Sequence, residues 1–258
     1  MTQPAIWLGV SLKMYFGYQQ TLNWSQAVAG IARQHPAVKS GEVGLFILPA
    51  FPALTAIKAI FNDTPVRVGA QDICHAENGA WTGEVSASML AEIGCSLAEI
   101  GHAERRRYFF EDDATIAAKV AIALRHDLTP VLCLGEPDRV DPQQAITVCT
   151  QQVEAYLQDA RAQGLQGEVI LAYEPQWAIG APQPAPDDYI RTVCAGLKKL
   201  TAQGISLRII YGGSAGPGLL QRLDGDVEGL FLGRFAHDPV ALRQIIDEAA
   251  ALVNRSLS

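Results

Sequence analysis

Eight short, nearly unbroken apolar runs constrain this chain more than any other feature: Ile6–Val10, Val43–Leu48, Val66–Ala70, Leu97–Gly101, Thr129–Leu134, Val169–Tyr173, Leu207–Tyr211 and Gly229–Leu232. Each has the length and β-branched content of a strand. Alternating runs would mark a sheet with one wet face. Continuous runs mark strands buried on both faces, as in a parallel sheet covered by helices. Parallel strands need long crossovers, and helical patterns fill the gaps. Thr21–Arg33 places Trp24, Val28, Ile31 and Ala32 at three- and four-residue spacing, and Asp112–Arg125, Gln143–Arg161, Asp187–Leu200 and Pro239–Val253 follow suit. Pro142 and Pro239 each follow an Asp, which reads as an N-cap with Pro in the first turn. Gly164 and Gly204 are placed as helix caps. Ala53–Phe61 and Gly218–Leu223 are shorter helical segments.

Eight strand–helix units in 258 residues predict an α/β fold, a single (β/α)8 barrel domain over residues 1–258, since such barrels take about 250 residues. No Pro/Ser-rich linker or charge block divides the chain. The rival, a doubly wound open sheet, would carry a Gly-rich turn after its first strand; here that strand runs into Ser11-Leu12-Lys13-Met14. The 20 Lys+Arg against 27 Asp+Glu give a net charge of −7, which excludes a general polyanion binder, so no nucleic-acid partner is expected. The only basic cluster, Arg105–Arg107, reads as a salt-bridged corner. The cysteines, Cys74, Cys95, Cys133, Cys149 and Cys194, form no Cys-x-x-Cys pair and read as reduced core thiols rather than a zinc site. No apolar run approaches the ~18 residues of a membrane span. Met1–Ile6 lacks a basic region leading into an apolar stretch, and the expected location is cytoplasmic.

Barrel enzymes place functional groups at the C-terminal ends of strands. The first strand here ends in Lys13, the fourth in Gly101-His102-Ala103-Glu104-Arg105-Arg106, and the fifth in Gly135-Glu136. The sixth ends in Glu174-Pro175-Gln176-Trp177-Ala178-Ile179-Gly180, the seventh in Gly212-Gly213-Ser214 and the eighth in Gly233-Arg234. Glu174 closes the run Val169–Tyr173. A carboxylate there is a costly core residue unless it faces the barrel mouth, where a dry pocket makes a useful general base. Two glycine-bearing loops after strands seven and eight match the usual phosphate site of barrels. Glu104 reads as a carboxylate favoured by a helix N-terminus.

These motifs, in order and spacing, resemble the triosephosphate isomerases over essentially the whole chain, with Ala103 where Ser is usual. The resemblance implies a TIM barrel with Lys13 neutralising substrate charge, neutral His102 donating to the carbonyl oxygen, and Glu174 shuttling the proton. It implies that Glu104 supports Lys13 and His102. Ser11, Gly180, Gly213, Ser214, Gly233 and Arg234 become the substrate-binding set, with no metal and no organic cofactor. Gly69–Asp72 and Gly79–Ser86 are similar to the family's subunit-interface loop, which implies a homodimer through Asn78–Glu84.

Four departures matter. Ser11-Leu12-Lys13 stands where Asn-Trp-Lys is usual. Gly180-Ala181-Pro182-Gln183 stands in the lid for Gly-Thr-Gly-Lys. Ala215 follows the phosphate loop in place of Val. Gly233-Arg234 replaces Gly-Gly. None removes Lys13, His102 or Glu174; the pocket wall changes. Ser11 leaves room beside the reacting carbons, and Arg234 adds a charge expected to contact phosphate. Lys13–Phe16 and Gly233–Phe235 resemble the tetrose branch of the family, the L-erythrulose-1-phosphate isomerases of erythritol catabolism. The expected reaction is L-erythrulose 1-phosphate to D-erythrulose 4-phosphate. Alternatives are orthodox triose phosphate isomerisation, as in glycolysis, and a non-catalytic phosphosugar-binding barrel, which has no need of Glu174. An aldolase-type barrel would want a Schiff-base lysine, for which only Lys13 lies at a strand end.

Overall fold

The computed structural model describes residues 4–256. Eight strands form a closed barrel in sequence order: β1 Ile6–Ser11, β2 Val43–Leu48, β3 Arg67–Ala70, β4 Leu97–Ile100, β5 Thr129–Leu134, β6 Gly167–Tyr173, β7 Ile205–Tyr211 and β8 Gly229–Leu232. Every neighbouring pair, β8 to β1 included, is parallel. The helices are α1 Tyr18–Gln34, α2 Pro36–Lys39, α3 Leu54–Ile60, α4 Ala87–Glu92, α5 Ala103–Tyr108, α6 Asp113–Arg125, α7 Pro142–Ala162, α8 Asp187–Leu197, α9 Leu219–Leu223 and α10 Pro239–Ser256. This is the (β/α)8 barrel that the eight runs predict.

The Asp–Pro starts hold. Asp141 Oδ1 accepts from the Gln143 and Gln144 amides at 3.0 and 3.1 Å, and Asp238 Oδ1 accepts from the Val240 amide at 2.9 Å. Gly164, at φ +63°, follows the C-cap of α7. Gly204 is not a cap. α8 stops at Leu197, three residues before the expected end, and Gly204 turns the chain at φ +77° into β7. The strands β6 and β7 each begin two residues earlier than their apolar runs, because polar Glu168 and Ser206 break the apolar pattern at their starts; Glu168 pairs within the sheet with Arg208 at 2.8 Å.

Inside the barrel, large and small residues alternate across neighbouring strands. Trp7 lies in register with Gly44 and Gly229, and Gly9 with Phe46 and Phe231. A Cβ on Gly9 would fall 2.0 Å from the Phe46 ring; its absence lets Phe46 and Phe231 stack at 6.1 Å between centroids. This packed layer plugs the barrel. It separates the charged pairs near the strand starts, Glu168 with Arg208 and Arg67, from the polar side chains at the C-terminal ends of the strands.

Candidate active site

A cavity of about 300 Å³ opens at that end. Lys13, Glu104, His102 and Glu174 line it, with Ser11, Gly180, Gly213, Ser214, Gly233 and Arg234. The fold therefore brings together all ten residues singled out from the sequence.

Lys13 lies just beyond β1 at φ +48°, a left-handed backbone that lysine rarely adopts. Gln71 holds it there, its amide donating to the carbonyls of Lys13 and Leu48 at 3.0 and 2.9 Å. The ammonium donates to Glu104 Oε1 at 2.8 Å. Burial works to lower the Lys13 pKa. The bond to Glu104 and the charges of Glu174, Glu104 and Glu99 outweigh it and hold the group above its ordinary value. Both readings of Glu104 are realised: it stands in the first turn of α5 and binds Lys13. Burial pushes its carboxyl up, and Lys13 and His102 together bring it below the usual range.

His102 caps α5. Its Nδ1 accepts the Glu104 amide N–H at 3.1 Å, so Nδ1 carries no proton and the neutral ring presents Nε2–H to the cavity. Nε2 lies 3.6 Å from Glu174 Oε1, and both atoms are buried without a hydrogen-bond partner. Two unsatisfied polar atoms facing one cavity are what a substrate would pair.

Glu174 follows β6, its amide donating to Leu134 O at 2.8 Å. Its side chain lies over Gly212, where a Cβ would come within 2.5 Å of Glu174 Cγ. Glycine at 212 is thus a requirement of the carboxylate's position. Beside it, the Cys133 thiol is pushed well above its ordinary pKa by burial and by the charges of Glu174 and Glu99, and so stays an inert thiol.

The segment after Glu174 is tied down at both ends. Near its start, buried Glu136 accepts from Trp177 Nε1 at 2.9 Å, Tyr189 OH at 2.9 Å and Tyr173 OH at 3.2 Å. Near its end, Tyr211 OH accepts the Ala185 amide at 3.1 Å and donates to Gly213 O at 3.0 Å. Ser214 Oγ donates to Ala178 O at 3.0 Å or Ala181 O at 2.7 Å, so its hydroxyl serves this strap. Gly213 and Ser214 have φ of +92° and +54°, successive left-handed residues that fold the backbone tightly against the cavity. Arg234 reaches across from β8, its guanidinium donating to Gly180 O at 3.2 Å.

Sequence reasoning missed Glu99, Glu136 and Tyr211. Glu99 interrupts an apolar strand, and that was the available signal. Glu136 was noted at a strand end without a role. Tyr211 passed as one more strand aromatic. Among the described residues, only Arg105 of the arginine run is salt-bridged as read, with Asp72 at 2.8 Å and Glu111 at 2.5 Å, where Lys119 joins the same carboxylates, while Arg107 lines the cavity. Arg106 donates to Tyr156 OH. Among the described residues, no three His, Cys, Asp or Glu side chains are grouped as a metal ion would require. No described helix is long and apolar enough to cross a membrane.

The sequence model of the family described as triosephosphate isomerase matches residues 6–249. The chain belongs to the triosephosphate isomerase family. Within that family it is 56% identical over 259 residues to the L-erythrulose-1-phosphate isomerase of Pectobacterium atrosepticum, covering 99% of this chain and 100% of that one. The protein of the same name from Rhizobium etli is 35% identical, over 97% of this chain and 95% of its own. That from Mesorhizobium japonicum is 36% identical, over 96% and 98%. The family resemblance and the fold class expected from the strand-end motifs are both borne out.

Proposed function

We propose that this protein is a cofactor-independent phosphosugar isomerase that interconverts L-erythrulose 1-phosphate and D-erythrulose 4-phosphate through an enediolate. The observation that carries the reading is the pair of unsatisfied atoms, His102 Nε2 and Glu174 Oε1, facing each other at 3.6 Å beside the Lys13 ammonium. Full-length similarity to relatives named for this substrate supports the tetrose over the triose.

Glu174 takes the proton from the hydroxyl-bearing carbon beside the carbonyl. Negative charge passes to the carbonyl oxygen, which receives a hydrogen bond from His102 Nε2–H and the field of Lys13. Glu104 holds Lys13 in place and fixes the imidazole tautomer through its amide. His102 Nε2 gives its proton to the oxyanion and takes the hydroxyl proton of the adjacent enediolate oxygen in exchange, and Glu174 returns its proton to the neighbouring carbon. The carbonyl has moved by one position, and no electron leaves the substrate. Gly180, Gly213, Ser214, Gly233 and Arg234 hold the phosphate. The strap over residues 176–185 keeps water out while the enediolate exists, because an exposed enediolate beside a phosphate ester eliminates phosphate.

The working unit is a homodimer of single-barrel subunits in the cytoplasm, in a route that degrades tetritols. Support for the dimer comes from eight consecutive exposed residues, 77–84, and from apolar side chains in the loops after the first four strands. Met14 is 94% exposed and Phe110 86%, with Tyr15, Trp81 and Phe109 also open. Patches of this kind on one side of a molecule mark an interface.

The test is isomerisation of L-erythrulose 1-phosphate in deuterium oxide, followed by NMR. Formation of D-erythrulose 4-phosphate carrying solvent deuterium at the reprotonated carbon is expected. No conversion, or conversion unaffected by Glu174→Gln, would overturn the reading.

A further inference from the structure

Glu99 takes no part in the chemistry above, yet it lies inside the barrel at 3% exposure. It belongs to β4, and Ser11 ends β1; β2 and β3 lie between these strands. The hydrogen bond from Ser11 Oγ to Glu99 Oε2, 2.7 Å long, therefore crosses the barrel interior instead of joining neighbours. Ser11 lines the cavity and Glu99 does not. The two form a floor, with the hydroxyl on top and the carboxyl beneath.

A buried carboxyl is an expensive way to fill space that a leucine would fill well. What it does is orient a proton. With its hydrogen committed to Glu99, Ser11 Oγ turns its lone pairs toward the cavity and becomes a hydrogen-bond acceptor. Sugar hydroxyls donate to such an acceptor; a C–H does not. The phosphate loops and the strap sit at the rim, above the strand ends. A substrate held there by its phosphate points its far end at this floor. In the tetrose phosphate the reacting hydroxyl-bearing carbon carries a hydroxymethyl at that end, and in the triose phosphate it carries a hydrogen in its place.

We propose that Ser11 and Glu99 form a specificity floor that accepts the terminal hydroxyl of a four-carbon substrate, Ser11 touching it and Glu99 positioning Ser11. This rests on the tetrose reading and adds to it the residues that choose the fourth carbon.

Burial pushes the Glu99 carboxyl up to about 7, against the lowering effects of His102, Ser11 and Lys13. Near neutral pH the pair thus also exists in a protonated form, in which a carboxylic acid replaces the acceptor arrangement.

The experiment pairs a hydroxyl deletion in the substrate with deletions in the floor. kcat/KM is measured for L-erythrulose 1-phosphate, its 4-deoxy analogue and dihydroxyacetone phosphate, with wild type, S11A, E99L and E99Q. In wild type, loss of the terminal hydroxyl should cost ~10–100-fold. In S11A and E99L the same deletion should cost less than ~3-fold. E99Q keeps an oxygen to accept from Ser11 and should retain most of the discrimination, which a merely structural role would not require. If S11A discriminates as wild type does, if E99Q loses the discrimination, or if all three substrates fall in parallel in S11A, this inference is wrong while the tetrose reading stands. If wild type fails to turn over L-erythrulose 1-phosphate, both are wrong. E99L is the variant most at risk of misfolding, and S11A with E99Q decides the question without it.

Discussion

Glu174 and Glu99 show how two glutamates in one barrel reach opposite ends of legibility. Glu174 stands out in the chain because it terminates an apolar run and opens a recognisable motif, and the structure puts it at the cavity it was expected to face. Replacing it with Gln keeps shape and removes the base, so kcat should fall by at least 10²–10⁴-fold while phosphate-ligand binding survives; steady-state rates and calorimetry check the two halves. Glu99 escaped notice because one carboxylate among Leu97, Ala98 and Ile100 leaves a strand pattern intact. Only the closed barrel reveals that its side chain points inward, toward Ser11, with His102, Glu174 and Lys13 acting on it. Burial raises its pKa from 4.5 to about 7. The folded state therefore holds a proton that the unfolded chain releases, and stability falls as pH rises between those values. The loss is on the order of 3 kcal/mol and is complete above neutrality. E99Q has no such proton to lose. Its stability should match wild type near pH 4 and exceed it at pH 8, as urea denaturation at the two pH values will show.

Elements were easier to read than their ends. Strands buried on both faces print themselves as apolar runs, which is why all eight were placed. Polar residues in the sheet, Glu168 and Ser206, hid the first two residues of β6 and β7. α8 ended early because helical spacing persists in Lys198-Lys199-Leu200 after the backbone has left the helix. The strap over the cavity was legible as a lid from its motif, but its fastening was not. Tyr211 sits 26 residues from Ala185, and only the barrel brings its hydroxyl to that amide. Tyr211→Phe leaves the ring in the core and strands the Ala185 N–H. The closed strap should lose stability, lowering kcat/KM about 10-fold and raising the share of turnovers that end in free phosphate. A phosphate-release assay run beside the isomerisation assay reads both.

At the scale of the molecule, the loops after β1 to β4 gather exposed apolar side chains, while the loops after β6 to β8 bring Gly180, Gly213, Ser214, Gly233 and Arg234 to the cavity. The first group calls for a partner surface. Light scattering of the active protein should give twice the chain mass of 27.7 kDa, and a monomer mass in dilute active solution would refute the dimer. On the proposed function the second group grips the phosphate; the chain departs from its wider family there at Arg234 and the strap, and on β1 at Ser11. The family was legible from strand-end motifs alone. The tetrose branch was legible as well, in Lys13–Phe16 and Gly233–Phe235; the contact of Ser11 with Glu99 was not, since two distant strands build it together. The most direct measurement is kcat/KM for L-erythrulose 1-phosphate against dihydroxyacetone phosphate on the same wild-type preparation. The tetrose should win clearly; a tenfold or greater preference for the triose would make this an orthodox triosephosphate isomerase with an altered lid.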